Sequence, residues 1–156
     1  MDELIIEFLK DYGYLGMGIM AFLSGTVLPI ASEVLLVFFL GTGLNAIGLT
    51  LSAAAGNTLA GVVCYVSGRF AKRERVQAFF RISDKKMHRA DRLIHKYGLW
   101  TAFFSFVPVI GEVLLISLGF MRADKTKVLF YMSLGKVIRY SIITISAIGL
   151  ANFFGF

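Results

Sequence analysis

The sequence predicts an all-α integral membrane protein built as an inverted repeat, each half a re-entrant helical hairpin followed by a transmembrane helix. Three observations carry that prediction. First, the 156 residues are 57% hydrophobic with a mean hydropathy of +0.75, more apolar surface than a soluble domain of this size hides. Second, Tyr12–Ser32, Val34–Gly68 and Tyr140–Phe156 contain no Asp, Glu, Lys or Arg. The first two match or exceed the roughly 20 residues that span a bilayer, and the third comes close. Third, the chain's two prolines open the same phrase, Pro29-Ile30-Ala31-Ser32-Glu33-Val34-Leu35-Leu36 and Pro108-Val109-Ile110-Gly111-Glu112-Val113-Leu114-Leu115. The interval is 79 residues, and Gly56-Asn57 recurs across it as Gly135-Lys136. A repeated helix breaker followed by an acid in apolar sequence fits a transporter with one interrupted membrane segment per half.

The whole chain, 1–156, reads as one membrane domain: repeat 1 over about 12–68, a basic linker over about 69–96, and repeat 2 over about 97–150. Residues 1–11 alternate acids with Leu4, Ile5, Ile6, Phe8 and Leu9, the pattern of a short interfacial helix. This opening is acidic where a cleavable signal is basic, so no leader is expected. Tyr12 to about Leu40 is apolar but interrupted at Pro29, just after Ser24-Gly25-Thr26. Repeat logic makes it a hairpin, although Tyr12–Ser32 is long enough to span, and a conventional four-span arrangement is the alternative. Gly41-Thr42-Gly43-Leu44-Asn45 reads as a turn. Residues 48–68 form a spanning helix on which Ala53, Asn57 and Gly61 share a face, as do Gly56 and Ala60, permitting close helix approach. Cys64, the single cysteine, has no internal disulfide partner and is expected to pack.

The net charge of +6 is local: Arg69–Lys96 holds ten Lys or Arg against Glu74, Asp84 and Asp91. The positive-inside rule puts this block in the cytoplasm without invoking nucleic acid. Val76, Phe79, Phe80, Met87, Ala90 and Ile94 fall near one face at helical spacing, with Ser83-Asp84 as a break and cap. Such a stripe suits either an anionic leaflet surface or the protein's own cytoplasmic face. His88, Asp91 and His95 also share a face, but in a solvated basic segment no metal site is expected.

Residues 97–121 decide the topology. A single crossing would set Arg122, Lys125 and Lys127 opposite the basic block. A dip that turns at Pro108–Glu112 keeps both flanks on one side, with legs reaching about half of the roughly 30 Å core. Tyr97 and Trp100 anchor its start at the interface. Residues 126–149 then span, and the C-terminus lies outside.

Glu33, Glu112, Lys136 and Arg139 lie deep in apolar sequence, where an isolated charge costs a few kcal/mol. They are therefore expected to face one another or a wet cavity. Lys136 and Arg139 share a helical face near mid-span, Asn57 occupies the middle of the other span, and the two glutamates sit at the hairpin turns. Backbone interrupted at Pro29, Pro108 and Gly111 is tolerated only around such a cavity. Arg139, Lys136 and Asn57, with helix N-termini, are the expected substrate-binding groups for a phosphate. Glu33 and Glu112, desolvated, are the expected proton-coupling groups. The competing structural readings are a charge-neutral lock and a simple proline kink. No nucleotide loop, paired-cysteine motif or nucleophile motif occurs, so no cofactor and no catalytic residue is assigned.

These residues resemble the DedA family of SNARE-associated, or VTT-domain, membrane proteins, nearest its small YqaA-like branch. The likeness rests on Phe22-Leu23-Ser24, Leu28-Pro29, Glu33-Val34, Gly56-Asn57-Thr58-Leu59-Ala60-Gly61 and Gly68-Arg69-Phe70. It continues through Tyr97-Gly98, Pro108-Val109-Ile110-Gly111-Glu112 and Leu134-Gly135-Lys136-Val137-Ile138-Arg139-Tyr140. The resemblance implies facing re-entrant hairpins and a bacterial-type inner (plasma) membrane location. It also implies movement of a lipid phosphate, such as undecaprenyl phosphate or a phospholipid, in some members with proton coupling. Glu33 and Glu112 fit the family's acidic positions and Arg139 its C-terminal arginine; where a second arginine is expected, Lys136 is the nearest basic residue, a departure from the family's pattern. The expectation is a flippase and not an enzyme, with membrane lipids, protons and a second copy of the chain (a homo-oligomer) as partners. The alternatives are a structural or assembly protein without substrate and an intramembrane lipid-phosphate hydrolase.

Overall fold

The computed structural model describes residues 2–26 and 31–155, with side chains from Tyr12 onward; Pro29 lies outside the described residues. No strand occurs among the described residues. Helices run α1 Asp2–Ser24, α2 Ser32–Gly41, α3 Ala46–Phe70, α4 Arg73–Phe80, α5 Asp84–Tyr97, α6 Ile110–Phe120 and α7 Lys125–Phe154, with a 3-10 helix at Gly98–Phe106. The separate interfacial helix expected over residues 1–11 is instead the first part of α1. No proline falls between Asp2 and Ser24 to end the helix, so it passes through the change from charged to apolar sequence.

Among the described residues two helices, α3 and α7, are long and apolar enough to cross a membrane. Their 25 and 30 residues extend about 37 and 45 Å at 1.5 Å per residue. Each starts at a side-chain cap. Asn45 accepts from the N–H groups of Ile47 (2.9 Å) and Gly48 (3.1 Å). Asp124 accepts from Thr126 and Lys127, both at 3.0 Å. Those donors, Lys127 first, hold the Asp124 carboxyl below its ordinary value.

α3 is the axis of the fold, packed against α1, α6 and α7. Its small residues Ala53, Gly56, Asn57, Ala60 and Gly61 are all buried, as their spacing predicts. A Cβ on Gly56 would strike the Gly18 carbonyl of α1; one on Gly68 would strike the Ile116 carbonyl of α6. Helix backbones therefore touch on both sides of α3. In the second half, Gly135 of α7 rests likewise on the Phe103 carbonyl of the 3-10 helix.

The apolar core is divided. One cluster joins Met17, Ala21, Leu36, Leu49, Ala53 and Tyr140. The other joins Cys64 and Tyr65 to Val76, Met87, Ala90, Ile94, α6 and Met132. The basic linker thus lays most of its apolar stripe on the protein's own body, and Phe79, 63% exposed, is the exception. Ser83 caps α5 where the sequence predicts a break, accepting from the Lys86 N–H at 3.4 Å. Cys64 is fully buried.

Candidate functional site

Between the two apolar clusters lies a band of polar side chains. Tyr140 of α7 and Ser32 at the start of α2 share a buried hydrogen bond of 2.7 Å. Beside it Arg139 forms an ion pair with Glu33, the two side chains 16% and 30% exposed. On α3, Asn57 donates through Nδ2 to the Ala21 carbonyl (3.1 Å) and accepts through Oδ1 from Lys136 Nζ (2.6 Å). Lys136 Nζ also donates to the Asn57 carbonyl. Farther along, Thr50 and Thr144 join α3 to α7 by a hydroxyl pair at 2.6 Å.

A cavity of about 520 Å³ opens onto this band. Its walls are Ser24 and Thr26 at the end of α1, Ala31–Glu33 at α2, Asn57, Pro108 and Val109 with Glu112 and Val113, and Arg139. The turn between α4 and α5 closes one side with Phe80, Arg81, Ile82 and, one turn on, Lys86. Glu33, Asn57, Pro108, Glu112 and Arg139, singled out from sequence, therefore border one chamber. Lys136 does not: at 2% exposure it is sealed behind Asn57. A second groove of about 540 Å³ between α3 and α7 is mostly apolar, with Arg69 and Lys125 among its lining.

The backbone at Pro108–Ile110 shows why a breaker is needed there. Val109 has φ 67° and ψ −52°, and Ile110 N–H donates to the Pro108 carbonyl at 2.7 Å. This is a γ-turn of the rare positive-φ hand, strained for a β-branched residue, and it lies in the chamber wall. Gly111 follows because its Cα rests on the Ser105 carbonyl, leaving no room for a Cβ. The turn brings the 3-10 helix against α6 and aims Glu112 at the chamber.

Sequence reasoning missed Arg81, Lys86 and the Ser32–Tyr140 pair. Arg81 and Lys86 look like part of a uniformly solvated basic block. The available cue was Phe80 and Ile82, apolar neighbours that pack against the second cluster and pin the turn. Asp91, one of three side chains weighed as metal ligands, pairs with Arg73 at 3.2 Å.

Two helices long and apolar enough to span, shorter apolar helices beside them, and a charged chamber they border fit a helical integral membrane protein. The chain is 36% identical over 121 residues to the inner membrane protein YqaA of Escherichia coli (strain K12), covering 77% of this chain and 80% of that one. It is 28% identical to an alkaline phosphatase-like protein of Lactococcus lactis subsp. cremoris, over 94% of this chain and 74% of the relative. It is 25% identical to undecaprenyl phosphate transporter A of Staphylococcus aureus, over 80% of this chain and 67% of that protein. No family model and no solved structure matches it. The chain belongs to the DedA family, in its YqaA-like branch, and is a protein of the bacterial-type inner membrane.

Proposed function

We propose that this chain is a translocase that moves a phosphate-bearing lipid across the inner membrane, with proton uptake on the chamber carboxylates. The observation that carries the reading is a single chamber, walled by both halves, that holds the Glu33–Arg139 pair. In this reading the halves are inverted repeats with re-entrant hairpins, and residues 69–96 face the cytoplasm. Three features support it. The helices after the breaks, α2 with 10 residues and α6 with 11, reach about 15 Å, half of a roughly 30 Å core. Asn57 and Lys136, repeat-equivalent at an interval of 79, meet each other. Glu33 and Glu112, equivalent at the same interval, border the same space.

Arg139 at rest is neutralised by Glu33. A proton on Glu33 removes the carboxylate's claim, and a phosphate oxygen pair takes its place on the planar guanidinium. Lys136 braces α7 against α3 through Asn57 and acts on the substrate only indirectly. Rocking of the halves about the chamber then exposes the phosphate to the other side. The name of the S. aureus relative favours a lipid phosphate as cargo.

The test is lipid movement in liposomes carrying the full chain. R139Q is expected to lose transport, and E33Q and E112Q to lose its pH dependence. Transport by R139Q at the wild-type rate would remove the site, and an unchanged pH profile in both glutamine variants would remove the coupling. The alkaline phosphatase-like name of the L. lactis relative gives the hydrolase reading its footing. Release of inorganic phosphate from a lipid phosphate by the purified chain would favour that reading.

A further inference from the structure

The cations first expected to bind a phosphate are both occupied. Arg139 is paired with Glu33, and Lys136 donates to both oxygens of Asn57 outside the chamber lining. Two other cations line the same chamber, Arg81 and Lys86. Neither pairs with a described acid: Asp91 is engaged with Arg73 and Asp84 with Gln77 at 2.8 Å, while Glu112 shares the chamber lining and Glu74 the groove on the other side of Arg81. Both are exposed and free to meet a ligand.

The turn that carries them is fixed. Ile82 N–H donates to the Gln77 carbonyl at 2.9 Å, closing the end of α4. Phe80 and Ile82, on either side of Arg81, pack against the cluster formed by α5 and α6. Arg81 itself is left-handed, φ 54° and ψ 44°, at a helix end where glycine is the ordinary choice. A side chain with a Cβ is disfavoured there, so the backbone alone gives no reason for arginine. What the position keeps is a cation on the chamber wall.

We infer that Arg81 and Lys86 form a cationic entry subsite, which takes the phosphate before Arg139 is released to it. This rests on the translocase reading and adds an order of events: capture at the α4–α5 turn, then transfer to Arg139 once Glu33 lets go. The charge balance agrees. Glu33 and Arg139 cancel, and Arg81 and Lys86 outnumber the remaining acid, Glu112, leaving the chamber a net positive charge for a phosphate to offset.

Binding of dodecyl phosphate to the purified full-length chain, with inorganic phosphate in a parallel titration, tests it. Losing one charge-assisted contact weakens binding about tenfold, so R81G and K86Q should each show that loss and the double variant about a hundredfold loss. R81K should stay within about threefold of wild type, because the charge is kept. R81G should melt no lower than wild type, because glycine suits the left-handed position. R139Q should still bind dodecyl phosphate within about threefold while losing movement of a prenyl phosphate in phosphatidylcholine vesicles. Inorganic phosphate binding as tightly as dodecyl phosphate would keep the subsite and make the free anion its ligand. A double variant R81G/K86Q that binds like wild type while R139Q loses binding would overturn the subsite and leave the translocase standing. A wild-type chain that binds neither probe would remove both.

Discussion

The same sequence phrase follows each break, yet α6 and α2 are held in opposite ways. In α6, eight of eleven residues are buried, wedged between α3 and α5 with backbone contact at Gly68 and Gly119. In α2, Ser32 and Leu36 are the buried residues, and Val34 and Phe38 are 67% and 64% exposed. Polar contacts to α7 secure α2: the Ser32–Tyr140 hydrogen bond and the Glu33–Arg139 ion pair. The basic linker accounts for the difference, since α5 covers α6. Tight apolar packing makes a fixed element, whereas polar tethers can be exchanged for water, a proton or a ligand. If the halves move against each other, α2 is the side that gives.

The contrast can be broken most sharply at glycines. G119V puts a branched side chain against the Tyr65 carbonyl and should destabilise the chain by about 3 kcal/mol or more. G41A, at the end of α2 with nothing within 4 Å, should change stability by less than about 0.5 kcal/mol. Thermal melting followed by thiol labelling of buried Cys64 reads both. N57A comes next. It removes the side-chain acceptor of Lys136 and the donor to Ala21, a loss of roughly 2–3 kcal/mol because one partner is charged.

Y140F sharpens the comparison by cutting a tether. It should cost about 1 kcal/mol overall and raise hydrogen exchange in α2 while leaving α6 protected. Equal protection of α2 and α6 in that variant would contradict the view that Tyr140 holds α2. The smallest effect belongs to Asp124, at the start of α7. Its carboxyl is held below the ordinary value by the α7 donors. Its contribution is therefore complete above the unfolded carboxylate value and fades as pH falls through the folded one. The melting advantage of wild type over D124A should be full at neutral pH and shrink in acid.

Much of this was legible in the sequence. Charge-free runs gave α3 and α7, the repeated prolines located the break before α6, and Ser83 announced α5. Small-residue spacing identified the face of α3 that meets its neighbours. The orientation of Lys136 was not legible. It and Arg139 lie three residues apart, so periodicity puts them together, but α7 meets α3 at one and α2 at the other. Only the packing of three helices separates their roles. The α4–α5 turn escaped for another reason: charge counting averages a segment, and an arginine in a left-handed turn carries no local signal such as glycine would give.

The contact between Asn57 and Lys136 bears on ancestry. Had the chain arisen by fusing two copies of a shorter one, as its proposed symmetry implies, the residues at the axis were once identical. Two amides facing each other can exchange donor and acceptor; two ammonium groups repel. Of the two present residues, asparagine at both positions keeps the contact, whereas lysine at both leaves two buried charges facing each other. K136N should accordingly fold, and N57K should not.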